Sequence, residues 1–188
     1  MEDKNVKQKE FWSGAGGDVW VNKQKEMDIM LNPLGQRAID KLDLSNGKRI
    51  LDIGCGCGAT TLEIAKMIPE GKIIGVDISE PMLNQARKDA LEMSLSNTEF
   101  VVQDVQTDEI SKDAFDIAFS RFGVMFFEDS YEAFKNINNA LKIGGQLSFV
   151  CWQEPLLNPW QSLSIQVIKQ FIDLPAPPPK SPGPFAFE

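Results

Sequence analysis

Residues 49–59 read Arg49-Ile50-Leu51-Asp52-Ile53-Gly54-Cys55-Gly56-Cys57-Gly58-Ala59 and carry the strongest structural signal of the chain. A short apolar run with one carboxylate leads into a loop that has glycine at every second position. A second apolar run, Ile73-Ile74-Gly75-Val76-Asp77, ends in another acid. The order strand, glycine-rich loop, helix and strand is typical of a nucleotide-type pocket at a βαβ crossover. We therefore expect a ligand site at the carboxyl edge of a parallel sheet.

The composition is that of an ordinary globular protein. Hydrophobic residues make up 43% and charged residues 24% of the 188 residues, which suits one domain with a buried core. The net charge of −8 is spread along the chain without a basic, aromatic-rich run, so nucleic acid is not expected as a partner. Residues 1–10 are polar, and Asp116 and Arg121 interrupt the most apolar stretch. No membrane span is expected, and the default location is cytoplasmic.

Metal binding is not expected from the cysteine pattern. The chain contains three cysteines and no histidine, and Cys55-x-Cys57 supplies only two thiols. Common structural metal sites need four such ligands. We expect the cysteines to be reduced and packed.

Hydrophobic periodicity predicts alternating strands and helices after residue 48. Strands are expected at 49–53, 72–77, 98–103, 115–120 and 145–152, and helices at about 59–68, 80–93 and 130–141. Gly144-Gly145 is expected to end the last of these helices. The alternation predicts an α/β fold, in which helices cover both faces of a mostly parallel sheet.

The chain divides into three predicted segments. Residues 1–47 form a helical extension with a break at Asn32-Pro33, residues 48–152 form the ligand-binding core, and residues 153–188 begin a C-terminal part. In that last segment a helix at 159–172 precedes prolines 175, 177, 178, 179, 182 and 184, which forbid regular structure. We expect the chain to be truncated there. Strand 145–152 would then have a free edge, through which a homodimer would form.

Two ligands fit the glycine loop, and Asp52 distinguishes them. Gly54-x-Gly56-x-x-Ala59 matches the dinucleotide fingerprint, with Asp77 about 20 residues downstream as the ribose-binding acid. Asp52 would lie beside the pyrophosphate of NAD, where like charges in a partly dry cleft repel each other. A ligand with an ammonium and a sulfonium group would be attracted instead. The acid therefore favours S-adenosylmethionine over NAD.

A series of motifs in this order resembles those of class I S-adenosylmethionine-dependent methyltransferases. Leu51 to Gly58 resembles their first motif, and the runs that resemble the later motifs are Gly75 to Met82, Val102 to Val105, Phe115 to Ser120 and Leu141 to Gly145. Residues 120–127 and the surroundings of Met82 are most similar to the branch that includes ubiquinone and menaquinone C-methyltransferases.

The resemblance implies a three-layer, Rossmann-like sandwich that lacks the last strands of the family's seven-stranded sheet. It also implies methyl transfer to a small-molecule acceptor, which leaves S-adenosylhomocysteine. A non-catalytic module that binds S-adenosylmethionine and an NAD(P)-dependent oxidoreductase remain as alternatives.

The resemblance also assigns cofactor-binding roles. Asp77 would accept from the ribose hydroxyls, and Asp104 would accept from the adenine amine. A Cβ at the loop glycines would occupy the space of the ligand, and the Ser120 carbonyl would face the ligand ammonium. The complete implied set is Asp52, Gly54, Gly56, Gly58, Asp77, Ile78, Met82, Asp104, Val105 and Ser120.

Candidate acceptor-binding residues lie in two places. Trp12 and Trp20 belong to the extension, which in similar methyltransferases folds over the cofactor as a lid, and Arg121, Phe122 and Met125 follow the fourth strand. Packing in the core is the alternative for the apolar members of this set.

Arg121 would hold an anionic acceptor group or pair with an acid such as Glu128 or Asp129. No catalytic residue is assigned, because the sulfonium already activates the methyl group. Without histidine, any deprotonation would fall to a carboxylate, to Tyr131 or to solvent.

Overall fold

The computed structural model of the protein describes residues 5–45, 47–174 and 182–187. The helices are α1 (Val6–Ser13), α2 (Ala15–Asn22), α3 (Gln24–Ile39), α4 (Ala59–Met67), α5 (Glu80–Glu92), α6 (Ser130–Ala140) and α7 (Pro159–Ile168). The strands are β1 (Arg49–Ile53), β2 (Lys72–Asp77), β3 (Thr98–Val102), β4 (Phe115–Arg121) and β5 (Leu141–Val150). Short 3₁₀ turns occur at Val124–Phe126 and Pro155–Leu157.

The five strands form one parallel sheet in the order β3-β2-β1-β4-β5. All carboxyl ends therefore lie at one edge, and the chain reverses its direction of winding beside β1. In open α/β sheets this position is where ligands bind. The predicted α/β class with a parallel sheet is confirmed.

Alternate residues of β1 enter two separate cores, which explains why the strand is apolar without interruption. Leu51 packs in a cluster with Ile137 of α6, and Ile50 packs on the other face with Ile64 of α4 and Ile39 of α3. Full burial of one such side chain stabilises the fold by about 1.5–3 kcal/mol. Because side chains in a strand alternate between faces, Asp52 lies on the α4 face together with Ile50.

The predicted role of Gly144-Gly145 as a helix stop is wrong. Helix α6 already ends at Ala140, and Leu141 begins β5, four positions before the predicted strand start. Gly144 instead has a φ of 78° within β5, close to the register shift against β4 between Phe115 and Ile117. From Leu141 to Gln146 β5 advances five residues while β4 advances two, from Phe115 to Ile117, and a left-handed glycine accommodates such an irregularity.

The break predicted at Asn32-Pro33 is also wrong, because α3 continues through Pro33. Proline lacks the N–H that would bond the carbonyl one turn earlier, at Ile29. Ile29 is 79% exposed, so water can satisfy that carbonyl and the helix tolerates the proline.

Helix α7 ends at Ile168 instead of the predicted 172, and residues 182–187 lie against the 3₁₀ turn after β4 and against α6. The N–H of Gly183 donates to the carbonyl of Met125 at 2.9 Å, and Phe187 contacts Phe134. Residues 175–181, which include four of the predicted prolines, lie outside the described residues. Among the described helices, none combines the length and hydropathy needed to cross a bilayer.

Candidate active site

A cavity of about 270 Å³ opens at the carboxyl edge of the sheet. It is lined by the ends of β1 and β2, the segments after β3, β4 and β5, and residues of α1 to α3. Twelve residues singled out from the sequence line it: Trp12, Trp20, Gly54, Gly56, Asp77, Ile78, Met82, Asp104, Val105, Arg121, Phe122 and Met125. Asp52, Gly58 and Ser120 lie behind this wall.

Asp77 ends β2 and joins the glycine loop to the start of α5. Its Oδ2 accepts from the N–H of Gly56 at 2.8 Å, and its Oδ1 accepts from the N–H of Ser79 at 2.9 Å. Burial raises the pKa of Asp77, and the backbone N–H donors act in the opposite direction. Each carboxylate oxygen can accept more than one hydrogen bond. The residue can therefore hold the loop and still accept from a ligand hydroxyl.

Asp104 follows β3 and is shared with the N-terminal helix. Its Oδ1 accepts from the N–H of Gln106 at 3.0 Å. Its Oδ2 accepts from Nδ2 of Asn5 at 3.1 Å and lies 3.2 Å from Nζ of Lys9. Sequence reasoning missed Asn5 and Lys9, because a polar residue about 100 positions away carries no local signal of this contact.

Asp52 does not lie beside the cavity as its position in the motif predicted. Its side chain is fully buried under the first turn of α4, where Oδ2 accepts from the hydroxyls of Thr60 at 2.9 Å and Thr61 at 2.6 Å. Its Oδ1 has no hydrogen-bond partner among the described residues. Burial raises the pKa of Asp52 to about 6, against the lowering effect of the two hydroxyls.

Asp52 therefore cannot repel a pyrophosphate by direct contact, contrary to the prediction from its place in the motif. Thr60, a lining residue whose hydroxyl donates to Oδ2, separates the carboxylate from the cavity, and the charge acts through a medium of low dielectric constant. A buried, unpaired carboxylate oxygen is compatible with a cationic ligand group nearby and unfavourable for an anionic one.

The three loop glycines all adopt positive φ, but an added Cβ would meet a different neighbour at each of them. A Cβ at Gly54 would lie 2.8 Å from Cα of Gly123, and one at Gly58 would lie 2.8 Å from Cβ of Ala86. A Cβ at Gly56 would point into the cavity, 3.8 Å from Nε1 of Trp20. Of the three positions, only Gly56 would direct an added Cβ toward the cavity, and the prediction that it would occupy ligand space stays a prediction.

Ser120 holds the sheet edge together. Its hydroxyl donates to the carbonyl of Ile53 at 2.7 Å, and the side chain is fully buried. This bond brings the end of β4 against the end of β1, where Gly123 and Gly54 pack backbone to backbone. Gly123 was not singled out from the sequence, although it lies within the motif after β4.

Aromatic side chains from distant segments form the outer part of the cavity. Trp12 meets Trp20 and Phe126 edge to face, with ring centroids 6.0 and 5.0 Å apart. Phe122 stacks on Trp152 with centroids 4.5 Å apart and planes inclined by 22°. Trp152 was not predicted as a site residue, because it follows β5 and approaches Phe122 only through the pairing of β4 with β5.

Phe122 has a φ of 61°, which is rare for a bulky residue. The left-handed region costs a non-glycine residue roughly 1–2 kcal/mol. The N–H of Phe122 donates to the carbonyl of Val150 at 2.9 Å, and its ring is held by Trp152. Such locally strained residues cluster at functional sites.

Arg121 pairs with an acid, which was one of its two predicted alternatives, but the acid is Asp28 of α3 and not Glu128 or Asp129. Its Nη2 donates to Oδ1 of Asp28 at 2.8 Å, and its Nη1 donates to Oδ1 of Asn32 at 2.5 Å. The last residue of β4 faces α3, where Gly35 leaves space: a Cβ there would lie 2.8 Å from Cδ of Arg121.

The remaining chemical candidates lie away from the cavity or are unreactive. Tyr131 is 74% exposed at the start of α6. Burial raises the pKa of the Cys55 thiol, and raises that of Cys57 to about 12, so both stay protonated near neutral pH. Among the described residues, no group of three or more His, Cys, Asp or Glu side chains is placed to hold a metal ion.

The chain belongs to a methyltransferase family: residues 44–164 match the family described as "Methyltransferase domain". Membership of this family of enzymes implies S-adenosylmethionine as the cofactor. The open space beside the Gly56 backbone and the acids at the ends of β2 and β3 are compatible with that ligand.

Related proteins cover part of the chain. It is 34% identical over 118 residues to aklanonic acid methyltransferase DauC of Streptomyces sp. (strain C5), covering 62% of this chain and 54% of that protein. It is 35% identical to phosphoethanolamine N-methyltransferase 1 of Triticum aestivum, over 58% of this chain and 22% of that protein. It is 28% identical to demethylmenaquinone methyltransferase of Listeria monocytogenes, over 64% of this chain and 51% of that protein. The chain thus spans about half or less of these relatives.

A solved structure shares the architecture. The S-adenosylmethionine-dependent methyltransferase from Mesorhizobium loti superimposes with a TM-score of 0.55 and 27% identity, covering 61% of this chain and 51% of that one. The protein therefore has the Rossmann-like fold of S-adenosylmethionine-dependent methyltransferases, as the sequence predicted.

We expect Gly56→Ala to weaken S-adenosylhomocysteine binding at least about tenfold. Its Cβ would enter the cavity between Trp20 and Met82, in addition to the backbone cost at a φ of 56°. Gly144→Ala is the matched control, because Gly144 has a φ of 78° and open space around it. Calorimetric titration and urea unfolding of both variants measure the two effects. Equal affinities would show that the Gly56 position does not border the ligand.

Proposed function

We propose that the protein transfers a methyl group from S-adenosylmethionine to a small-molecule acceptor by in-line displacement. The observation that carries the proposal is one cavity with two chemically different ends. One end, over β3, β2 and β1, has Asp77, Asp104 and the backbone of Gly56 with Trp20 beside it, and the other, over β4 and β5, has the aromatic side chains of the segments that follow these two strands. The first suits a nucleoside with hydroxyl and amine donors, and the second suits an apolar acceptor.

In this proposal the described residues bind and orient the cofactor and the acceptor. Asp77 accepts from the ribose hydroxyls, Asp104 accepts from the adenine amine, and the Gly56 backbone lets the ligand approach closely. The aromatic wall excludes water and aligns the acceptor with the methyl group. The cofactor supplies that methyl group already activated on a sulfonium.

Deprotonation of the acceptor is left to solvent. The oxygens of Asp77 are bonded to backbone N–H groups, and those of Asp104 to Gln106 and α1. Tyr131 lies outside the cavity lining. An acceptor that is acidic in its own right, such as a phenol or an enol, needs no further base.

Parallel titrations test the function. We expect S-adenosylhomocysteine to bind and NADH not to bind, and acceptor turnover to release S-adenosylhomocysteine from S-adenosylmethionine. Binding of NADH in preference would support the oxidoreductase alternative. Binding of the nucleoside without turnover of any acceptor would support the non-catalytic module.

We propose that residues 1–47 act as a lid over the core of residues 48–152, with residues 153–188 as a separate C-terminal segment. Support comes from bonds that the extension makes to the site. The hydroxyl of Ser13 donates to the carbonyl of Ile78 at 3.1 Å, and the hydroxyl of Ser79 donates to the carbonyl of Trp12 at 2.6 Å. Lys9 also occupies Oδ2 of Asp104, where the adenine amine would donate.

Lys9→Met is expected to tighten S-adenosylhomocysteine binding about threefold. This change is no larger than the free energy that a partly exposed ion pair contributes. Removing the ammonium leaves Oδ2 of Asp104 more available to the ligand. Lys23→Met, which removes an exposed ion pair with Glu26, is the control and should leave the affinity unchanged. Weaker binding by Lys9→Met would instead mean that Lys9 supports the bound nucleoside.

We also propose a homodimer through the edge of β5. This strand lies at the border of the sheet, and its residue Ile143 is fully exposed. Sedimentation at increasing concentration should show self-association that Ile143→Lys weakens, because a charge on an edge strand opposes pairing. A monomer at every concentration would contradict this proposal.

A cytoplasmic location is proposed from the cysteines. Cys55, Cys57 and Cys151 are all free thiols, as is usual for proteins of reducing compartments. The expectation that nucleic acid is not a partner stays a prediction that depends on the distributed net charge of −8.

A further inference from the structure

We propose that the acceptor end of the cavity selects uncharged, flat, ring-bearing molecules and rejects acceptors that carry a phosphate or a comparable anion. The inference rests on the proposed methyl transfer, because it names the substrate class of that same site. Three features carry it: the shape of the aromatic wall, the rigidity of that wall, and the engagement of the one cationic side chain found among its described lining residues.

The wall offers aromatic faces and edges to a ligand. Phe122 and Trp152 stack with nearly parallel planes at a centroid distance of 4.5 Å. Trp12 and Phe126 meet edge to face at 5.0 Å. All four line the cavity. Aromatic rings favour offset-stacked and edge-to-face partners, so a planar ring makes better contacts there than a puckered one.

The aromatic wall is rigid before a ligand binds. Phe122 is held at a φ of 61° by the bond from its N–H to the carbonyl of Val150 and by the stack on Trp152. The next residue, Gly123, packs against Cα of Gly54, so the backbone after β4 cannot relax outward. A preorganised wall loses little conformational freedom on binding and discriminates by shape.

The charge balance disfavours anions. Arg121 is the one Lys or Arg side chain among the described lining residues, and only 8% of it is exposed. Both ends of its guanidinium are engaged, one by Asp28 and the other by Asn32. A phosphate at the aromatic wall would displace Asp28 or lie unpaired in apolar surroundings. Burial of an unpaired ionic group is strongly unfavourable.

Three probes with one carbon skeleton test this. The protein is first saturated with S-adenosylhomocysteine, and 2-naphthol, 2-naphthyl phosphate and decahydro-2-naphthol are then titrated near neutral pH. We expect 2-naphthol to bind at least about tenfold more tightly than its phosphate and about fivefold more tightly than the puckered decahydro compound. Equal or tighter binding of the phosphate would overturn the exclusion of anions, and equal binding of the saturated compound would overturn the preference for flat rings.

The first titration separates this inference from the proposed function. Failure to bind S-adenosylhomocysteine would count against the proposed function itself. Normal S-adenosylhomocysteine binding without discrimination among the probes would count only against the acceptor class.

Two variants locate the discrimination. Trp152→Leu should weaken 2-naphthol binding about fivefold and leave S-adenosylhomocysteine binding intact, which also shows that the variant is folded. Phe171→Leu is the matched control, because Phe171 is 80% exposed and outside the lining; it should bind 2-naphthol as the parent does. Equal losses in the two variants would contradict a role for the Phe122–Trp152 stack.

Asp28→Asn tests the charge argument by a gain of binding. Removing the carboxylate frees the charge of Arg121, so the preference for 2-naphthol over 2-naphthyl phosphate should shrink severalfold, with S-adenosylhomocysteine affinity as the folding control. An unchanged preference would show that the pairing of Arg121 does not set the exclusion of anions.

Discussion

Asp77→Asn is expected to weaken S-adenosylhomocysteine binding about 100-fold, which corresponds to the loss of one or two hydrogen bonds to a charged group at about 1.5–3 kcal/mol each. The carboxylate accepts from the N–H groups of Gly56 and Ser79 with different oxygens. An amide nitrogen at either position would face a donor with a donor. The variant therefore disturbs the glycine loop and also loses acceptor capacity for the ribose hydroxyls.

Asp116→Asn is the matched control for Asp77→Asn. Asp116 also accepts a backbone N–H, from Arg49 at 2.8 Å, but it lies near the amino end of β4, at the opposite edge of the sheet. Its replacement should lower the free energy of unfolding without changing the affinity for S-adenosylhomocysteine. A folded Asp77→Asn variant with parental affinity would show that Asp77 only holds the loop.

Asp52 should make the protein less stable as the pH rises from about 4 to about 6. The pKa of Asp52 is about 6 in the folded state against 3.8 for an ordinary Asp, so the folded state holds this proton more tightly than the unfolded state does. The stabilising contribution is complete below the unfolded pKa and is lost as the pH passes the folded pKa. The difference in pKa corresponds to about 3 kcal/mol.

Urea unfolding of the parent and of Asp52→Asn across this pH range measures the effect. Because other carboxyl groups also titrate, the informative quantity is the difference between the two free energies of unfolding. That difference should change by about 2 kcal/mol in favour of Asp52→Asn between pH 4 and pH 7, since at pH 4 part of the full effect is already lost. Asp43→Asn is the control: Asp43 is exposed and its pKa is lowered by the N–H of Ser45, so any effect runs in the opposite direction. Parallel curves for parent and Asp52→Asn would contradict burial of a titrating carboxyl group.

The same titration should affect ligand binding. An ionised Asp52 behind Thr60 attracts the ammonium of S-adenosylhomocysteine, and a protonated one does not. We therefore expect the affinity of the parent to rise severalfold as the pH increases through 6, and that of Asp52→Asn to stay level. An equal rise in both proteins would assign the effect to another group.

Local patterns predicted the backbone of the core closely. Strands β1 and β2 and the glycine loop lie where the runs of Ile, Leu and Val with terminal acids placed them, because a strand buried on both faces must be apolar throughout. The loop also brings Asp77 to Gly56, as expected when carboxyl ends of parallel strands share one edge. The boundary at β5 failed because Gly144 serves a strand irregularity, and glycine marks helix ends and bulges alike.

Side-chain direction and long-range pairing needed the tertiary structure. Whether Asp52 faces the ligand or the underside of α4 depends on which face of β1 the helix covers. The pairing of Arg121 with Asp28, the contact of Asn5 and Lys9 with Asp104, and the stack of Trp152 on Phe122 join segments far apart in the chain. No periodicity encodes such contacts.

By itself, the amino-acid sequence determined the class of fold, the edge of the sheet where a ligand binds, and the methyltransferase family. The fold class and the expected ligand edge follow from hydrophobic period and from glycine and acid positions, which act over a few residues, and the family follows from the resemblance of a series of short motifs. Only the tertiary structure decided which acids face the cavity, which cation is already paired and which aromatic side chains line the cavity together. Those properties arise from packing between distant segments, where the relative position of whole helices and strands sets each contact.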